Sequence, residues 1–213
     1  MTDISAIRKE YLKDSISPEN LLDNPFQQFE KWFQEAIKAA VNEPNAMNLS
    51  TFSPETGFPS ARMVLLKGLE SENFIFYTNY NSRKASQIEL NPKVALTFFW
   101  PELERQVNIE GVVQKVSEEN SANYFRSRPY QSRIGAWASP QSKEIASRYK
   151  IKVSFAKYAV KYASHVPKPP HWGGFAVSPV RVEFWQGRPS RLHDRILFTK
   201  NDQGIWEKKR LAP

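Results

Sequence analysis

The chain of 213 residues has no cysteine. Disulfides, thiolate metal sites and a cysteine nucleophile are thereby excluded, and a reducing compartment suits the composition. Histidine is scarce as well. His165, His171 and His193 stand apart, with no spacing that suits metal ligation, so no metal is expected. Long apolar runs are missing too. The most continuous, such as VALTFFW (94–100), are far too short to cross a bilayer. The opening MTDISAIRKEYLKDS is too charged for the apolar region of a signal peptide. A cytoplasmic protein that neither enters nor binds membranes is expected. The chain also lacks a G-x-S-x-G nucleophile turn, a phosphate loop of the G-x-x-x-x-G-K-[ST] kind and a G-x-G-x-x-G fingerprint. Acidic residues are the last shortage: 22 Asp plus Glu against 30 Lys plus Arg, a formal charge of +8. That excess favours an anionic partner, whether nucleic acid, a membrane surface or phosphorylated small molecules.

What is present reads as a β-rich protein. Pro25 falls near a helix start, and Phe26, Phe29, Trp32, Phe33, Ala36 and Ile37 recur at helical spacing until Pro44. From residue 46 the signal changes to strands. AMNLSTF and ARMVLLKGL flank the turn SPETGFP as a hairpin; NFIFYTN, KVALTFFW and RQVNIEGVVQKV follow. SRKASQIEL and SEENSANYFRSRP interrupt as helices, the second stopping at Pro129, and Ser139-Pro140 reads as the start of a third. VPKPPHWGG reads as a connector, and FAVSPVRVEFWQG, RLHDRILFTK and IWEKKRLAP close the chain. A mainly β fold is expected, an antiparallel barrel with flanking helices. Residues 1–213 form one expected domain: a mobile segment 1–20, a helical region 21–42, and a barrel with helical insertions over 46–213.

The cations fall into separate clusters. After the strand ending at Tyr77-Thr78, Ser82 is positioned as an N-cap with Arg83 and Lys84 in the first helical turn. Helix N-termini attract anions and disfavour cations, so this pair is locally unfavourable unless a phosphate is bound; the plain alternative is two solvated charges. Tyr124 and Arg128 are four apart on one helix face, with Ser132 just beyond, and all three can donate to a phosphate oxyanion. An ordinary amphipathic helix would look similar. Arg62 and Lys67 flank RMVLLK and, being five apart, point to opposite faces of a regular strand. Gln141 and Ser142 lie in the first turn after Ser139-Pro140, and Gln106 and Asn108 give one strand a polar face. In EFWQGRPSRLHDR (183–195), Arg191, His193 and Arg195 are two apart, which in a strand sets them in one row about 6 to 7 Å from neighbour to neighbour. Such a row is either solvated or faced by something anionic or electron-rich.

These motifs, RMVLLK, YTNYNSRKASQIELNP, ERQVNIEG, YFRSRP, GAWASPQS, EFWQG, RLHDR and RLAP, together resemble pyridoxine/pyridoxamine 5′-phosphate oxidases, in the same order from about residue 8 to residue 213. The resemblance implies an FMN-binding split barrel of antiparallel Greek-key type, assembled as a homodimer with FMN at the interface. It implies oxidation of pyridoxamine 5′-phosphate and pyridoxine 5′-phosphate to pyridoxal 5′-phosphate, with hydride passing from substrate C4′ to flavin N5 and O2 leaving as H2O2. Residue by residue, it implies flavin contacts for Arg62, Met63, Val64, Leu65, Leu66, Lys67, Tyr77, Thr78, Arg83, Lys84, Gln106, Gln141, Ser142, Trp185 and Arg195. Lys67, Tyr124, Arg128 and Ser132 match the substrate-phosphate pocket. Arg191 and His193, with Leu192 between them, match substrate contacts near the reacting carbon. Arg8, Lys9, Glu10 and Tyr11 resemble a segment that folds over bound substrate. One departure stands out: Glu43-Pro44 replaces the Asp-Pro of some relatives. The rival readings are a non-catalytic flavin- or pyridoxal phosphate-binding barrel and a nucleic-acid-binding module, the latter without a basic run or known motif to support it.

Overall fold

The computed structural model describes residues 3–6 and 9–213; Arg8 lies outside them. Helix α1 (Pro25–Lys38) starts where the sequence signals it. The Asn24 side chain accepts from the amides of Phe26 and Gln27, and Pro25, which has no amide hydrogen to satisfy, takes the first position. The helix buries Phe29, Trp32 and Ala36.

Among the described residues nine strands form one antiparallel sheet: β1 (Ala46–Phe52), β2 (Pro59–Leu65), β3 (Gly68–Glu70), β4 (Asn73–Asn79), β5 (Lys93–Trp100), β6 (Arg105–Lys115), β7 (Trp172–Gln186), β8 (Asp194–Lys200) and β9 (Trp206–Leu211). Their order is β2-β1-β5-β6-β7-β4-β3, with β8 on β7 and β9 on β8. The sheet curls into a half-barrel, and the backbone amide of Lys67 donates to the Ile75 carbonyl at 2.8 Å where the chain leaves β2 and passes β4. Inward residues alternate along each strand, so Leu49, Leu96, Phe98, Val107, Ile109, Phe184 and Phe198 fill the interior. Phe29 of α1 closes one end, 4.8 Å from the ring of Phe98 and 5.0 Å from that of Phe74.

Strand β7 organises everything that follows. Its first half, Trp172–Val177, pairs with β4, and its second half, Arg181–Gln186, pairs with β8. Trp172 and Trp185 are therefore separated by about 40 Å of extended chain. The helices α2 (Arg83–Leu90), α3 (Glu118–Ser127), α4 (Tyr130–Ala138) and α5 (Arg148–Lys161) lie outside the sheet. Phe125, Ile134, Val166 and Trp172 make a second, smaller core where α3 and α4 meet the start of β7.

Several local expectations give way. The RLHDR row is not a strand: Pro189, without an amide hydrogen for a ladder, opens a short 3-10 turn, Ser190 and Arg191 have φ of 55° and 62°, and β8 begins only at Asp194. Of the three basic residues only Arg195 is in the sheet. Ser139 ends helix α4 rather than starting a helix, its amide donating to Gly135, and the next helix begins at Arg148. ARMVLLKGL divides into β2 and β3. The glycines of HWGG belong to β7, not to a connector. A side chain there would strike Tyr80 at Gly173 (2.2 Å) and Tyr77 at Gly174 (2.8 Å).

Candidate active site

A cavity of about 940 Å³ opens between β2, the end of β4, the start of α2 and the α3–α4 corner. Arg62, Met63, Val64, Leu65, Lys67, Tyr77, Thr78, Arg83, Lys84, Tyr124, Arg128, Ser132, Gln141 and Ser142 all line it. Leu66 does not, being packed in the main core. Arg62 and Lys67 share the cavity despite their odd spacing, because β2 stops at Leu65 and strand parity ends with it. Arg128 has likewise left the helix of Tyr124 (φ −70°, ψ 147°), yet the Pro129 corner returns it to the same wall. The rings of Tyr77, Tyr124 and Trp172 stack there, with Tyr77 3.9 Å from Tyr124 and 5.4 Å from Trp172, and the Arg128 guanidinium lies 4.6 Å from the Trp172 ring centre.

Among the described residues, the cations of this cavity meet no carboxylate. Lys84 is buried, and its Nζ donates to Thr78 Oγ1 (3.1 Å), Ser82 Oγ (3.3 Å) and Gln141 Oε1 (3.3 Å). Burial, reinforced by the nearby Arg62 charge, pulls its pKa down to about 8. Arg62 donates to the Leu49 carbonyl, Thr51, Ser60 and Gln87, and burial and then Arg83 lower its pKa. Arg128 is lowered by burial, and its Nη1 is buried with no partner. Burial raises both Tyr77 and Tyr124, which keeps their hydroxyls protonated as donors. Arg83 and Lys84 open α2, and the Ser82 side chain does not cap it. Arg128, with one guanidinium nitrogen unpartnered among the described residues, the desolvated Lys84 ammonium and the uncapped start of α2 border one space, a donor set that suits anions.

At the other end of β7 lies a second cluster. Gln106, Trp185 and Arg195 stand side by side on adjacent strands. His193 lies 4.6 Å from Trp185, and Tyr11 sits edge-on to both at 5.7 Å. The amide of Arg188 donates to His193 Nδ1 (3.1 Å), which assigns the proton of the neutral ring to Nε2. Burial and then the Arg191 charge lower the His193 pKa, in keeping with a neutral ring. Arg195 is held by Glu183 through two bonds of 2.9 and 3.0 Å, and its pKa is raised accordingly. Arg191 and Leu192 are exposed on the turn beside it, and Lys9 and Glu10 precede Tyr11 at the surface.

Sequence reasoning missed Trp172, Glu183 and Arg188. Glu183 was findable, since it shares a strand face with Trp185 two residues on. The role of Trp172 depends on ring packing between distant segments, and that of Arg188 on a turn geometry with no sequence signature.

The family model for pyridoxamine 5′-phosphate oxidase matches residues 33–162, and that for the pyridoxine 5′-phosphate oxidase C-terminal dimerisation region matches residues 172–213. The chain is 57% identical to a pyridoxine/pyridoxamine 5′-phosphate oxidase of Chromobacterium violaceum, covering 99% of each, and 53% identical to one of Neisseria gonorrhoeae, covering 99% of this chain and all of that one. Among solved structures it resembles PhzG from Burkholderia lata in complex with tetrahydrophenazine-1-carboxylic acid, with TM-score 0.88, 25% identity, and 94% and 99% of the two chains covered. A pyridoxamine 5′-phosphate oxidase-related, FMN-binding protein of Nostoc punctiforme shares the fold at 18% identity, with TM-score 0.73 and coverage of 89% and 98%.

Proposed function

Because the chain belongs to the pyridoxamine 5′-phosphate oxidase family, we propose that it oxidises pyridoxamine 5′-phosphate and pyridoxine 5′-phosphate to pyridoxal 5′-phosphate with FMN as its cofactor. The observation that carries this reading is the cavity with two cation sets and no anion of its own. FMN and substrate each bring a phosphate ester, and the buried unpartnered Nη1 of Arg128 and the Lys84 ammonium fit two such groups.

Arg83, Lys84 and the free amides of the α2 N-terminus would hold the FMN phosphate, with Thr78 and Gln141 held ready by Lys84. Lys67, Tyr124, Arg128 and Ser132 would hold the substrate phosphate, and Arg62 through Leu65 form the wall between. Bound FMN supplies the hydride acceptor for the substrate C4′ carbon, with dioxygen reoxidising it to give hydrogen peroxide. The protein's share is placement: anchoring one end of the substrate fixes its ring, and most of the acceleration comes from that orientation. His193, protonated on Nε2, and Arg191 act as donors that orient the substrate's ring-side groups.

The two clusters at opposite ends of β7 belong to one site only if two protomers contribute. The cavity of one protomer is completed in the homodimer by the Gln106–Trp185–Arg195 row and the RLHDR turn of the other. The exposed apolar side chains of Met63 (62% exposed) and Phe99 (52% exposed) support a covered outer face there. A cytoplasmic location goes with this reading, and no helix among the described residues is long and apolar enough to cross a membrane.

The test is the absorbance of the FMN-loaded protein during anaerobic addition of pyridoxamine 5′-phosphate. Bleaching of the flavin bands, and peroxide release once air is admitted, are expected. A spectrum that shifts on binding without bleaching would instead identify a non-catalytic binder.

A further inference from the structure

The segment from Lys9 to Ile16 is fastened to the barrel by groups that the proposed chemistry leaves unused. Glu104, in the turn between β5 and β6, is 3% exposed and has φ of 57°. Its Oε2 accepts from the amides of Leu12 (2.9 Å) and Lys13 (3.1 Å), and its Oε1 lies 3.7 Å from Lys9 Nζ. Farther along, Asp14 meets Arg105, and the Ile16 amide donates to Asp194. A carboxylate so buried is costly unless charge-assisted hydrogen bonds satisfy it, and among the described residues the partners of its side chain all come from this one segment. Between the fastened points, the Tyr11 ring lies against Gly187. A β-carbon on Gly187 would sit 2.7 Å from Tyr11 Cγ and 2.9 Å from its Cβ. Gly187 is not in the left-handed region, so its backbone does not require glycine; the Tyr11 ring does.

We propose that Glu104 and Gly187 form a built seat for Tyr11, holding it over Trp185 and His193. Glu104 is then a positioning residue that acts through Tyr11 rather than on the substrate. The inference rests on the reading of Tyr11 as a substrate contact and adds what places it there.

The test uses the FMN-loaded dimer and steady-state oxidation of pyridoxamine 5′-phosphate by Tyr11→Ala, Gly187→Ala, Glu104→Ala and the double variant Glu104→Ala/Tyr11→Ala. Each single change raises KM about tenfold with a smaller effect on kcat and leaves FMN affinity within about twofold. The double variant matches Tyr11→Ala alone, because both changes remove the same contact. Unchanged KM in Gly187→Ala, or effects that multiply in the double variant, would overturn the seat. If Glu104→Ala fails to fold, Gly187→Ala decides the matter. Tryptic cleavage after Lys9 and Lys13 gives a readout independent of turnover, and it quickens in the seat variants. A wild-type protein that oxidises nothing would sink the functional reading while this proteolysis still tests the seat.

Discussion

The two ends of β7 handle positive charge in opposite ways. At the cavity end, Arg62, Lys67, Arg83, Lys84 and Arg128 have no carboxylate partner among the described residues. At the far end, Arg105 meets Asp14 and Glu35, Arg188 and Arg210 meet Asp194, and Arg195 meets Glu183. The proton affinities follow: Lys84, Arg62 and Arg128 are depressed, while Arg195 is raised by its carboxylate. The first arrangement is incomplete without a ligand anion. In the second, Arg105, Arg188, Arg195 and Arg210 are neutralised by the protein, leaving the flat faces of Trp185 and His193 and the exposed Arg191 as what it offers. Within RLHDR only Arg195 has a carboxylate partner and Arg191 stays exposed on its turn, whereas the desolvated cations line the cavity.

The sharpest way to break this contrast is to empty the cavity of charge. Replacing Arg83 and Lys84 together by alanine removes charge-assisted bonds of about 1.5 to 3 kcal/mol each, so FMN affinity should fall by about two orders of magnitude or more. Fluorescence titration of the apoprotein with FMN measures it, and full retention would end the phosphate assignment. A smaller and differently placed loss is expected from Arg191→Met. It should slow anaerobic flavin reduction by substrate about tenfold or more while FMN affinity holds; an unchanged rate would remove Arg191 from the reacting centre.

Stability should separate the two ends by sign. Glu183→Gln leaves Arg195 without its carboxylate and should cost about 1 kcal/mol, since the pair is bidentate but Arg195 remains partly exposed. Lys84→Gln removes a desolvated charge that has no counter-ion, so the apoprotein should be as stable as the parent or more so. Urea denaturation of the two apoprotein variants makes the comparison, and a large loss in Lys84→Gln would contradict the unpaired-cation picture.

How much of this the sequence disclosed depends on the range of the causes. The β2 hairpin, the start of α1 at Pro25 and the alternation of Gln106-Val107-Asn108-Ile109 are set by neighbours, and they were legible. Clusters were recognisable by residue type even where the geometry was misjudged. Arg62 with Lys67, and Tyr124 with Arg128, reach one cavity for reasons other than strand or helix parity, because an element ends between the members of each pair. Ser139-Pro140 has the composition of a helix start but closes α4, whose packing against α5 overrides it. The partition of cations into paired and unpaired was legible only in so far as Glu183 shares a strand face with Trp185; which cation it meets was not. Glu183 neutralises Arg195 from a neighbouring strand, twelve residues away, and nothing near Lys84 in the chain announces that no carboxylate will come.

The smallest effect is a pH dependence that belongs to the cavity alone. In the folded apoprotein Lys84 loses its proton near pH 8, whereas an unfolded lysine keeps it to about 10.5. Between those values the unfolded chain binds more protons than the folded one, so this residue makes apoprotein stability rise with pH over that window. FMN should reverse the slope. Its phosphate favours the charged ammonium, so binding takes up a proton above pH 8 and affinity should decline as pH climbs from there. Isothermal titration in two buffers of different ionisation enthalpy would count that proton at pH 9, and Lys84→Gln should abolish it. Equal uptake in the variant would move the titrating group elsewhere and restore symmetry between the two ends of β7.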